Sequence, residues 1–126
     1  MTTRRASLRI LLTAAACAGA SLTPALAQQS AYPTKAVRMV VPYPPGGATD
    51  VIGRLIADKL GTRWGQAVIV DNRAGAGTTV GAENVAKSAP DGYTLYETTA
   101  THTIIASLYP KLSYDQIKNF TTITLT

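Results

Sequence analysis

Ala36-Val37-Arg38-Met39-Val40-Val41, then Pro44-Pro45-Gly46-Gly47, then Ile52, Leu55, Ile56 and Leu60 is the stretch whose reading decides the fold. The first six residues form a short apolar run with β-branched side chains, closed by Pro42, and predict a buried strand. The Pro-Gly cluster predicts a loop. The four apolar residues then fall at helical spacing with Arg54, Asp58 and Lys59 between them, so a helix follows, with Thr49 or Asp50 as its cap and Gly61 to Gly65 as its end.

Working outward, the same alternation repeats. Ala67-Val68-Ile69-Val70 predicts a second buried strand, followed by Asp71-Asn72-Arg73, Gly75-Ala76-Gly77 and a helix from about Thr78 to Ser88. Pro90-Asp91-Gly92 is a turn signal, and Tyr93-Thr94-Leu95-Tyr96 begins a third strand. Strands alternating with helices imply βαβ units, hence an α/β fold with a mostly parallel sheet and flanking helices. In such sheets ligands bind beyond the carboxyl ends of the strands, which gathers residues 42–50, 72–78 and 98–102 at one edge. At the far end, Thr121 to Thr126 reads as an alternating β-type run that stops without a turn, so the chain reads as the front part of a longer protein.

The N-terminus carries an export pattern. Arg4, Arg5 and Arg9 precede an uncharged apolar stretch from Ile10 to Ala20, Pro24 follows, and Ala25-Leu26-Ala27 offers small residues for cleavage before Gln28. Thr3-Arg4-Arg5-Ala6-Ser7-Leu8 partly resembles a twin-arginine signal, and Ala14-Ala15-Ala16-Cys17 partly resembles a lipoprotein box. The expected division is a signal peptide over 1–27 and a mature segment over 28–126. That segment holds 9 Lys and Arg against 7 Asp and Glu, about +2, so the formal +5 of the whole chain overstates its basicity. Its basic residues are scattered, which argues against a nucleic-acid partner. The single cysteine, Cys17, leaves with the signal, which excludes disulfides and cysteine-ligated metal from the mature segment.

The loops carry the chemistry. Glycine lets the backbone approach a ligand closely, and the first turn of a helix offers unpaired N–H groups with partial positive charge. Gly46-Gly47-Ala48-Thr49 and Gly75-Ala76-Gly77-Thr78 are therefore two candidate cradles for carboxylate or phosphate, with tight turning as the plain alternative. The spacing Gly75-Gly77-Gly81 is GxGxxxG rather than the dinucleotide GxGxxG, and neither loop holds the lysine of a phosphate-binding P-loop. Asp50 is either a helix cap or a ligand acceptor, and Arg73 either a carboxylate fork or a structural ion pair. The only histidine, His102, has no evident nucleophile beside it, and no GxSxG elbow or metal-ligand set exists; it is read as a backbone-bonding loop residue or a ligand contact.

Tyr32-Pro33, Val40-Val41-Pro42-Tyr43-Pro44-Pro45-Gly46-Gly47-Ala48-Thr49-Asp50, Val70-Asp71-Asn72-Arg73-Ala74-Gly75-Ala76-Gly77, Gly81-Ala82, Ala89-Pro90-Asp91-Gly92-Tyr93-Thr94-Leu95, Thr101-His102 and Leu108-Tyr109-Pro110-Lys111-Leu112 follow one another in an order that resembles the Bug family. These are the periplasmic substrate-binding receptors of tripartite tricarboxylate transporters. The resemblance implies a two-lobed periplasmic binding protein closing on a small organic acid, of which this chain is the front part of the first lobe. It implies transporter membrane subunits as partners, no cofactor and no catalysis. Carried over by motif, Gly46, Gly47, Thr49 and Asp50 match the first binding loop, Gly75, Gly77 and Thr78 the second, and Thr99, Thr101 and His102 the third. Glu97 departs from the small residue usual there, and a carboxylate at that place either repels an acidic solute or selects one bearing an amine. An exported enzyme acting on an acyl or phosphorylated molecule, and a truncated remnant of the receptor, are the competing readings.

Overall fold

The computed structural model describes residues 32–125. The expected signal peptide and its cleavage point lie outside them. Three parallel strands form the sheet: β1 (Val37–Val41), β2 (Val68–Asn72) and β3 (Thr94–Tyr96), in the order β2-β1-β3. The central position of β1 explains its sequence. A strand flanked on both edges and covered on both faces must be apolar nearly throughout, and Val37, Val40 and Val41 are fully buried. β2 is an edge strand, and its Ile69 is 57% exposed.

α1 (Ala48–Trp64) connects β1 to β2, and α2 (Thr79–Ala86), entered through a 3₁₀ turn at Ala76–Thr78, connects β2 to β3. The chain steps from β1 to one side and then back across β1 to the other. With crossovers of one hand, that reversal places the helices on opposite faces. Side-chain parity agrees: Met39 and Val41 pack with Ala57 of α1, whereas Arg38 bonds Ser88, just beyond α2, and Gly81 of α2 sits over Pro42.

Several boundaries differ from the expectation. α1 begins at Ala48 with Gly47 as its N-cap, which has no side chain to cap with, and Asp50, in the first turn, is turned to the Gly46 amide. Gly61 lies inside the helix, which runs to Trp64 and stops at Gly65 in the left-handed conformation, its N–H returning to the Gly61 carbonyl. β2 extends through Asp71 and Asn72. The sheet-facing strip of α1 consists of Asp50, Gly53 and Ala57, small residues that let the helix lie close to the strands, with Ile56 and Leu60 packing alongside. Ile52 and Leu55, which share the helical spacing, are rotated outward at 46% and 60% exposure.

A third helix, α3 (Thr101–Leu108), was not expected from the sequence, although Ile104, Ile105 and Leu108 have helical spacing; Ile105 is its buried anchor. Residues 121–125 form neither helix nor strand, since the β-type run makes no ladder with the three strands. No helix among the described residues is long and apolar enough to cross a membrane.

Candidate functional site

The strand register aligns Val41 with Asn72 and Val40 with Tyr96, so all three strands end at one edge and three loops leave from it. The first loop is built around Asp50. Its Oδ2 accepts hydrogen bonds from the Gly46 amide at 2.8 Å and from Arg54 Nε at 2.9 Å, and its Oδ1 accepts one from Asn72 Nδ2 at 2.9 Å. Asn72 Nδ2 also donates to the Tyr43 carbonyl at 3.1 Å, and Arg54 donates to Asn72 Oδ1 at 3.1 Å. Asp50 thus reaches back over its own helix terminus and closes the loop in the manner of a capping box. With these donors, Arg54 foremost, its carboxyl is held down at about 2, so it remains ionised and turned inward, 2% exposed.

That arrangement leaves donors free. The first intrahelical bond of α1 runs from the Val51 amide to the Gly47 carbonyl. The amides of Ala48, Thr49 and Asp50 have no acceptor among the described residues, as expected at an uncapped helix start. Gly46, at φ +83°, turns the chain into this terminus.

In the second loop Gly75, Ala76, Gly77 and Thr78 are successively at positive φ. For Thr78, a β-branched residue at φ +82°, the conformation costs on the order of 1–3 kcal/mol. The Thr78 amide donates to the Gly75 carbonyl at 2.9 Å and Thr79 Oγ1 to the Ala76 carbonyl at 2.9 Å, which fixes the turn. The Ala76 and Gly77 amides have no acceptor among the described residues. Gly77 meets the Tyr109 hydroxyl so closely that an added Cβ would stand 3.0 Å from it.

The third loop is tied to the first. The Tyr43 hydroxyl and Thr99 Oγ1 are 2.6 Å apart, and Thr99 Oγ1 lies 3.0 Å from Thr101 Oγ1. Unlike α1, α3 uses its first donors locally: the His102 and Thr103 amides go to the Thr99 and Ala100 carbonyls. His102 lies in the first turn of that helix, its ring edge-on to Tyr96 and Phe120, with Nδ1 buried and without a hydrogen-bond partner among the described residues. Thr78 Oγ1, Thr98 Oγ1 and the Tyr96 hydroxyl are also buried there without well-formed bonds. Burial pushes the Tyr96 phenol up, and the neighbouring Thr98 and Thr78 hydroxyls offset part of that rise.

Of the residues singled out from sequence, Gly46, Gly47, Ala48, Thr49, Gly75 and Gly77 therefore present backbone at the edge. Asp50 positions that backbone, Thr99 links the third loop to the first while Thr101 bonds Thr99, and Thr78 and His102 lie in the polar-aromatic cluster below. Arg73 pairs with Asp71, its Nε 3.1 and 3.0 Å from the two carboxylate oxygens. Glu97 does not face the loop edge. It is 9% exposed and packs between Val41 and Gly53, beneath α1. Sequence reasoning passed over Tyr43 and Asn72, whose position immediately beyond or at the end of a strand was the available signal. A groove of about 550 Å³ runs along the second half of α1 and the β2 edge, but its lining residue Arg54 is already engaged by Asp50 and Asn72.

Comparison with known proteins gives these loops a context. The model of the tripartite tricarboxylate transporter family receptor matches residues 52–126. Protein BugT of Bordetella pertussis is 42% identical over 75% of this chain and 29% of its own length. Among solved structures, one described as a periplasmic transporter superposes with a TM-score of 0.66 at 44% identity, covering 70% of this chain and 30% of that one. MatC from Rhodopseudomonas palustris with bound malate superposes with a TM-score of 0.65 at 41% identity, covering 71% and 31%. The chain spans about three-tenths of the length of these relatives.

Proposed function

The chain belongs to the tripartite tricarboxylate transporter receptor family, and from that premise we propose that it serves periplasmic capture of a small carboxylated solute and its delivery to the membrane subunits of such a transporter. Residues 28–126 are then part of the first lobe of a two-lobed receptor, exported by the signal peptide and cleaved near Ala27. The observation that carries the reading is the uncapped start of α1. The free amides of Ala48, Thr49 and Asp50, joined at the sheet edge by those of Ala76 and Gly77, suit a carboxylate, and the Asp50 carboxyl in that first turn is turned away and paired with Arg54.

Capture needs no proton transfer, so the roles are positional. Asp50 and Asn72 hold the first loop, the strained second loop aims its amides, and Tyr43 with Thr99 sets the gap to the third loop. The packing of His102 on Tyr96 and Phe120 supports a binding role over acyl transfer. The test is thermal unfolding of the full-length receptor with malate, adipate and citrate. A ligand bound only by the folded state at a hundred times its Kd adds about 2.7 kcal/mol. No shift with any of them, together with turnover of an ester or phosphate, would replace this reading with the exported enzyme. Mass analysis of the secreted form, expected to begin at Gln28, tests the cleavage point.

A further inference from the structure

Glu97 is a buried titratable group for which simple solute capture has no use. Its amide donates to the Val40 carbonyl at 3.0 Å, continuing the β3 pairing, and this directs the side chain beneath α1. There Oε2 is inaccessible and has no hydrogen-bond partner among the described residues. It packs so tightly against Gly53 that any side chain at position 53 would collide with it. β1 presents Val41 to this pocket, and Tyr43, packed on the same core, has its hydroxyl engaged by Thr99. α1 presents Asp50, one turn before Gly53, while the Arg54 guanidinium is directed to Asp50 and Asn72.

Two buried carboxyl groups that feel each other's charge compete for ionisation, and the one with donors wins. Asp50 has three donors, and Glu97 Oε2 has none among the described residues. We propose that Glu97 is a proton-dependent positioning residue for the first loop: uncharged, it lets α1 settle on the strand ends, and ionised, it pushes against Asp50 and loosens the Gly46 turn. This rests on the capture reading for its consequence, which is that solute affinity weakens as the proton leaves. Burial first, and then the charge of Asp50, push the Glu97 carboxyl up. The folded protein thus holds the proton more tightly than the unfolded chain. The ordered loop is favoured below the ordinary glutamate range and lost as pH rises through the raised value.

The test is an NMR pH titration of the full-length receptor, following the Gly46 amide and the Asn72 side-chain amide, with malate affinity measured over the same range. In the wild type both amides should show a step above the ordinary glutamate range, and malate affinity should fall about fivefold or more across it. Glu97→Gln should abolish the step and flatten the affinity profile. Asp50→Asn, a second variant read only by NMR of the Glu97 carboxyl, should move that group's titration down toward its usual range. An absent step, or one that persists in Glu97→Gln, overturns the proposal. If the step follows Glu97 but malate, adipate and citrate bind at no pH, the positioning role stands and the capture reading falls. If malate binds with the same pH profile in both proteins, the reverse holds.

Discussion

Asp50 accepts hydrogen bonds from a loop amide, from its own helix and from the end of β2, so one carboxylate ties three segments together. Its depressed titration gives a signed expectation. The stabilisation is present above the ordinary aspartate range and is lost as pH falls toward about 2. Urea unfolding at a series of acidic pH values should show wild-type stability declining through that window, while Asp50→Asn should be less stable at neutral pH and flatter below it; identical slopes would contradict the network. An acid in the first helical turn was legible in the sequence as a cap or a ligand acceptor. That it serves the loop instead depends on Asn72, 22 positions away, which the register brings opposite Val41. Tyr43→Phe isolates the other link: loss of the bond to Thr99 should weaken carboxylate affinity by up to about tenfold in calorimetry, on the scale of one hydrogen bond, with little change in melting temperature.

Among the elements, the helices show how small residues set depth. α2 approaches the first two loops at Gly81, where an added Cβ would lie 2.8 Å from Pro42 Cβ and 3.0 Å from the Arg73 carbonyl oxygen. Both are backbone or ring atoms with little freedom, so Gly81→Ala should cost about 1–3 kcal/mol through overpacking. The measurement is the urea midpoint, expected to fall with an unchanged slope. On α1 the apolar periodicity announced a helix correctly, but it did not say which face is buried. Ile52 and Leu55 point outward, because the close-approach strip of Gly53 and Ala57 decided the rotation. Strand existence was more legible than helix facing, because a central parallel strand must be apolar on both faces whatever packs on it.

For the molecule as a whole, the described residues leave considerable apolar surface open: Ile117 is 85% and Leu125 95% exposed, with Leu55 and Leu108 also open to solvent. Contiguous apolar exposure promotes association. A chain limited to residues 28–126 is expected to self-associate with rising concentration in sedimentation velocity, and a monomer throughout would show these side chains to be tolerated singly.

The sequence by itself determined the α/β alternation, the three loops at one edge and the family, because β-branched runs, helical spacing and Pro-Gly punctuation are local signals that chain order preserves. Only the tertiary structure decided what each loop residue does. Whether Asp50 meets solute or Asn72, whether His102 meets solute or Phe120, and whether Glu97 faces the loop edge or lies under Gly53 all depend on residues distant in the chain. Strand register and helix rotation bring those residues together, and neither is written in any single segment.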